Sequence, residues 1–238
     1  MAIINTLNES ALHKALKTLY TANNEGSVTE TKYGPYIVDI KTADGDVIEI
    51  QTQSLSHLVP KIKYFIEEKK KIRVVYPLIT TKYIETHALD GSVKTKKSPS
   101  HQNIYTSFKE FTKLTPYLLS RYFFLDVVEV VMVEERKATD VPVQSANGRR
   151  RFKKAWVKVG KRPREIGKTQ TFHGKKSYKA LLPKMEQEWF SPTDYYTALR
   201  EQGIKLTVAH ARLMLWVYSK AGLVTREKVG RKYLYSFC

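Results

Sequence analysis

Asp39, Glu49 and Gln51 are the residues whose types and spacing could do chemistry: two carboxylates and an amide, carried on two β-branched runs that flank Ala43-Asp44-Gly45. The runs read as a β-hairpin. Loop length decides which side chains share a face. A two-residue Asp44-Gly45 loop would pair residue 40 with 49 and set Asp39 beside Ile48 and Ile50. A three-residue loop, with Gly45 in the left-handed position of a bulge, pairs Asp39 with Glu49 and Ile37 with Gln51. That register sorts Tyr36, Val38, Ile40, Ile48 and Ile50 onto one face and Asp39, Lys41, Glu49 and Gln51 onto the other. A one-residue slip carries a strand's side chains to the opposite face, so the clean sorting favours the three-residue loop. The two acids then lie close enough to grip one ion between them.

This arrangement resembles the active centre of the PD-(D/E)XK, or restriction-endonuclease-like, nucleases. In that family an acid on one strand faces an acid-x-Lys triplet on the next. Here the match is Asp39 with Glu49-Ile50-Gln51, an acid-x-Gln form, and Val38 stands where Pro is usual. The likeness covers roughly residues 1–135. It implies that Asp39 and Glu49 bind Mg²⁺ (or Mn²⁺) and that Gln51 orients a water or a phosphate oxygen. It also makes Glu9, on a first helix, and Glu30 candidate metal ligands. Gln51 is neutral, so a second metal, Lys61 or Lys41 would have to supply positive charge. A second acid pattern, Asp126 ahead of Glu135-Arg136-Lys137, lacks a turn. At ~3.3 Å per residue its carboxylates would stand ~30 Å apart on one strand.

The elements that must position these residues follow from caps and periodicity. Asn8 reads as the N-cap of a helix running to about Ala22, with Leu12, Ala15, Leu16 and Leu19 as its stripe. A strand over 27–33 turns at Gly34-Pro35 into the hairpin. A helix from Ser56 to about Lys70 accommodates Pro60 in its first turn. Arg73–Ile79 and Lys82–His87 read as two strands, Val93–Lys97 as a basic edge, and 103–119 as a helix broken at Pro116. Phe123–Val133 reads as the last core strand.

Charge points to the partner. The 238 residues hold 41 Lys and Arg against 23 Asp and Glu, a net +18. This favours a polyanion, nucleic acid first. No run approaches the ~20 apolar residues of a membrane span. The single cysteine, Cys238, excludes an internal disulfide framework and a cysteine-based zinc site. The N-terminal residues show no basic region followed by a long apolar one, so a cytoplasmic, nucleoid-associated protein is expected. Neither a phosphate loop nor a Gly-x-Gly-x-x-Gly occurs. The histidines at 13, 57, 87, 101, 173 and 210 show no ligand spacing and read as individual residues.

Residues 149–179 hold 13 Lys and Arg and one acid, Glu165, with aromatics interleaved. Arg149, Arg150, Arg151, Lys153 and Lys154 lead this run and are expected to track phosphates. The last 60 residues resemble a winged helix. A helix over Tyr178–Glu188 comes first, Ser191 caps a second from Pro192, and Thr207 caps a third to about Ala221. Two short strands then turn at Gly230-Arg231. In such domains the third helix recognises DNA, which makes Thr207, His210, Arg212 and Lys220 candidates, with Arg226, Lys228, Arg231 and Lys232 on the wing.

The expected architecture is α/β (α+β): a restriction-endonuclease-like mixed sheet flanked by helices over 1–140, a basic connector over 141–177, and a winged helix over 178–238. The expected function is a Mg²⁺-dependent endodeoxyribonuclease of restriction or defence type, cutting double-stranded DNA as a homodimer, with no membrane partner. The alternatives are a non-enzymatic DNA-binding regulator and a nuclease subunit of a transposition or defence complex.

Overall fold

A computed structural model describes residues 10–238. It shows a mixed α+β chain whose large mixed sheet is flanked by helices. The first helix, α1 (Ala11–Ala22), starts at Ser10, whose hydroxyl accepts from the His13 N–H at 3.2 Å. The cap therefore lies two residues beyond the expected Asn8; Asn8 and Glu9 fall outside the described residues. Strands β1 (Val28–Tyr33), β2 (Tyr36–Lys41) and β3 (Val47–Ile50) form an antiparallel meander. The turn into β2 needs Gly34, at φ +60°, because a Cβ there would collide with the Tyr64 ring.

The β2–β3 turn closes as the residue pattern predicts. Thr42 N–H donates to Asp46 O at 2.9 Å, Gly45 N–H donates to Thr42 O at 3.0 Å, and Gly45 takes φ +80°. Ile40 pairs with Ile48 and Lys41 with Val47, so residue 39 stands across from residue 49.

A 3₁₀ turn (Leu55–Leu58) and α2 (Val59–Glu67) follow, with Pro60 in the first helical turn. The chain then enters β4 (Ile72–His87), parallel to β3. The two strands expected over 73–87 are one strand, bent by an irregularity between Ile79 and Thr81. Strand β5 (Val93–Lys97) folds back onto its far half. The expected helix over 103–119 is broken into two 3₁₀ turns around a single helical turn, α3 (Phe108–Phe111). Local hydroxyls explain the break, since Ser107, Thr112 and Thr115 each donate to the carbonyl three residues back.

Strand β6 (Phe123–Val143) runs parallel to β4, and β7 (Lys154–Phe172) returns antiparallel to it. The sheet order is β1-β2-β3-β4-β6-β7, with β5 on β4. Thus β6 is not the last core strand, and most of the expected connector over 141–177 is β7. The long β6–β7 hairpin carries a basic tip over 144–153.

Two apolar layers enclose the sheet. On one face Leu12, Leu16 and Tyr20 of α1 cover Ile40, Ile48, Ile50, Val75 and Val128. Burying the two leucines contributes about 2 kcal/mol each. The other face packs α2, α3 and the C-terminal elements: α4 (Gly174–Lys179), α5 (Pro192–Glu201), α6 (Val208–Lys220) and the hairpin β8 (Val224–Val229)–β9 (Lys232–Phe237). Phe172 against Tyr178 at 5.1 Å and Phe108 against Tyr218 at 5.2 Å make this core continuous with the main sheet. The helix expected over Tyr178–Glu188 stops at Lys179, because Pro183 cannot continue it and restricts Leu182 before it.

Candidate active site and nucleic-acid surface

The acids meet where two strand ladders break. The β1–β2 pairing is interrupted between Thr29↔Ile40 and Thr31↔Val38, at Glu30, whose φ is +49°. A non-glycine residue held there is strained, and such strain concentrates at functional sites. On the other side, β2 and β3 part beyond Ile40↔Ile48, and side chains replace the backbone ladder. The Asp39 carboxylate accepts from Ile50 N–H at 2.7 Å, and Glu49 Oε1 accepts from Asp39 N–H at 3.3 Å. Glu30, Asp39 and Glu49 thus form one row across three strands.

The sorting of faces expected from the sequence is corrected here. Val38 packs with Val47 on the α2 side, whereas Ile40, Ile48 and Ile50 pack against α1. The interruption at Glu30 and the parting of β2 from β3 rotate the chain between Val38 and Ile40. The acids are consequently covered by α1 and α2 side chains rather than forming an open outer surface. The Glu49 side chain is only 4% exposed, against 19% for Asp39.

Basic side chains from both layers close on this row. From α2, Lys61 Nζ donates to Glu49 Oε2 at 2.7 Å and to Ile37 O at 2.8 Å. From α1, His13 Nε2 lies 3.3 Å from Asp39 Oδ2, and one turn later Lys17 Nζ lies 2.6 Å from Glu30 Oε1. Burial, then the neighbouring Asp39 charge, pushes the Glu49 carboxyl up to about 7, against the pull of Lys61. Burial also acts upward on Asp39. Hydrogen bonds from His13 and Ile50 and the charges of His13 and Lys61 outweigh it, so that carboxyl is held below its usual range.

Sequence reasoning read His13 as an individual residue, yet it belongs to this site. The signal for it was the His13/Lys17 spacing of one helical turn, which puts two cations on one face. Gln51, in contrast, turns away: its side-chain oxygen accepts from Gln53 N–H at 3.1 Å. Lys41 lies over the Tyr33 ring, 4.6 Å from its centroid, at the hairpin's far end. The Asp126 pattern stays apart on β6. Asp126 is a buried node that accepts from Tyr20 Oη at 2.8 Å and from Arg73 and Thr171 at 2.7 Å each.

The basic residues divide into tied and free. At the β6–β7 tip, Trp156 is sandwiched between Arg136 and Arg150, whose guanidinium carbons lie 3.7 and 4.0 Å from its ring centroid. Arg150 also donates to Trp156 O at 3.1 Å, so it braces the arm, while Arg149, Arg151, Lys153 and Lys154 remain on its surface. In the C-terminal unit, Thr207 and His210 form a reciprocal cap on α6. Lys220 and Lys228 are exposed, and Arg212, Arg226, Arg231 and Lys232 line one cavity of about 500 Å³.

Among the described residues no group of three or more His, Cys, Asp and Glu is placed to hold a metal ion, and no helix is long and apolar enough to cross a membrane. A protein of Treponema pallidum (strain Nichols) described as "Uncharacterized protein" is 30% identical over 98% of this chain and 86% of its own. A solved structure, the ferric uptake regulator from Pseudomonas aeruginosa with manganese, is 28% identical over 26% of this chain, at a TM-score of 0.24. That alignment spans about half of the regulator, 48% of its chain. Residues 10–173, from the cap of α1 to the end of β7, match the family described as "Domain of unknown function (DUF8091)", and the chain belongs to that family.

Proposed function

We propose that this chain is a divalent-metal-dependent endodeoxyribonuclease of PD-(D/E)XK type, in its acid-x-Gln form, with a C-terminal winged helix that binds DNA. The observation that carries the reading is the meeting of Asp39 and Glu49 at the parting of β2 and β3. The order of α1, the β1–β3 meander, α2 and a parallel β4 is the one that resemblance implies, and the α5–α6–hairpin order suits a winged helix.

Burial, and after it the Asp39 charge, raises the proton affinity of Glu49, and a divalent cation held by the two carboxylates would offset both. A bound Mg²⁺ or Mn²⁺ would supply a water of lowered pKa and charge against a phosphodiester. Asp39 and Glu49 would hold it, with Glu30 next in the row. The Ile50 and Asp39 amides fix both carboxylates against the strands, and His13 orients Asp39. Lys61, held on Glu49 and Ile37 O, would turn to a phosphate oxygen to supply the charge that the neutral Gln51 lacks. The exposed basic tip and the C-terminal cations would grip the backbone of the duplex. Cutting both strands would bring two copies together.

Supercoiled plasmid incubated with Mg²⁺ or with EDTA tests this. Nicking should require the metal, and Asp39→Asn and Glu49→Gln should each lower it by on the order of 100-fold or more with DNA binding intact. A double variant that still cuts refutes the site. One observation favours a second reading, a DNA-binding regulator: each acid already has a cationic partner, as in a purely structural network. DNA binding without metal-dependent nicking would select it. Activity appearing only with added partners would select a subunit of a larger defence or transposition complex.

A further inference from the structure

The cavity in the C-terminal unit is larger than gripping a duplex backbone requires. Its walls are the outer face of α6, the first turn of α5 and the β8–β9 hairpin. Arg212 and Trp216, four residues apart, project from one face of α6. Arg226, Arg231, Lys232 and Tyr233 line the cavity from the hairpin. The hairpin is pinned in place. Phe190, just before α5, exchanges backbone hydrogen bonds with Tyr235 at 3.0 and 2.9 Å, and Arg226 stacks on Tyr233 with its guanidinium 4.5 Å from the ring centroid.

Three features define what would fit. Four cations line the cavity, and among the described residues no carboxylate does. A ligand of high charge density would neutralise them. The first turn of α5 adds little, since Asp194 already caps it by accepting from Ser191 N–H at 2.8 Å. The volume, about 500 Å³, lies in the range of small-molecule sites, and one backbone phosphate would leave most of it empty. Trp216 and Tyr233 supply ring faces of the kind on which nucleobases stack.

We propose that this cavity binds a nucleoside 5′-monophosphate unit, with the phosphate monoester among Arg212, Arg226, Arg231 and Lys232 and the base against Trp216 and Tyr233. A monoester carries about −1.5 to −2 charge at pH 7, whereas an internal phosphodiester carries a single charge. Four cations therefore discriminate in favour of the monoester. The unit is either a free nucleotide or the 5′-terminal nucleotide of a strand. Recognition of it needs no cleavage, so the inference stands or falls apart from the nuclease reading.

The test uses the full chain in EDTA, where strands stay intact. Binding of a fluorescent single-stranded 12-mer is compared with a 5′-phosphate and with a 5′-hydroxyl at moderate salt. The phosphorylated strand should bind at least ~10-fold tighter, about 1.4 kcal/mol. The Arg231→Ser/Lys232→Ser variant, altered only at exposed positions, should bring the two affinities together, and Tyr233→Ala should weaken the phosphorylated strand alone. Competition by adenosine 5′-monophosphate distinguishes the sources. Affinity equal to the strand's identifies a free nucleotide, and affinity at least ~10-fold weaker identifies a strand end. Equal affinity for the two 12-mers together with no binding of the mononucleotide overturns the proposal, as does discrimination that survives in the double variant.

Discussion

Replacing Lys61 by Met gives the sharpest test of the ion-pair geometry. The change removes hydrogen bonds to Glu49 Oε2 and Ile37 O while keeping most of the apolar stem. A buried charge stripped of its partner costs about 3–5 kcal/mol when it has no escape. Glu49 has one, because it can take up a proton. Its folded-state value is about 7, raised from an ordinary 4.5. A carboxyl raised in this way binds more protons folded than unfolded, so stability falls as pH rises from 4.5 and levels off above the folded value. Without Lys61 that value rises further, and the fall continues to higher pH. Above the folded value, at pH 8, protonation caps the electrostatic loss at roughly 1 kcal/mol. The lost hydrogen bonds add about 1 kcal/mol. Lys61→Met should thus destabilise by roughly 2 kcal/mol at pH 8 and by only roughly 1 kcal/mol at pH 5. Urea denaturation in EDTA across pH 5–9 measures both curves. They should run parallel at low pH and diverge above neutrality. A difference that is constant with pH, or that shrinks as pH rises, refutes the pairing.

Three other expectations follow from the same geometry. Tyr20→Phe removes one of three hydrogen bonds to the buried Asp126, and chemical denaturation should show a loss of about 1.5–3 kcal/mol. Trp156→Ala removes both guanidinium stacks at the base of the tip. It should lower amide-exchange protection in 138–156 while leaving β3 and the lower half of β4 protected, at about 1–2 kcal/mol of local stability. Duplex affinity should fall steeply with salt, and replacing Arg149, Arg151, Lys153 and Lys154 by Ser should lower the slope by about 0.9 for each phosphate no longer neutralised. An unchanged slope would remove the tip from the DNA-binding surface.

The parts of the fold legible in the sequence are those written in local chemistry. Gly45 fixes the three-residue loop that sets residue 39 across from residue 49, and Ser191-Pro192 and Thr207 mark the starts of α5 and α6. The parts that were not legible depend on distant partners. Strand β7 reads as a connector because most of its side chains are exposed and six of its 19 residues are Lys or Arg; only the β6 backbone beside it makes it a strand. Val38 and Ile40 go to opposite layers where both neighbouring ladders are interrupted, which the residue pattern of β2 alone does not announce. His13 joins the acids because α1 folds back over the meander, bringing together residues far apart along the chain.

Strand β6 connects these observations in one further way. The row holding Glu49 continues through Val74 to Leu125, and the same strand then runs without a loop to Val143 at the foot of the basic tip. At ~3.3 Å per residue that path is roughly 60 Å, or about 17 base pairs of B-form duplex. A duplex held at the tip would meet the acids at a spacing set by backbone rather than by a hinge. Under the proposed function the strand would act as a ruler, and lengthening or shortening the arm would move the footprint with it.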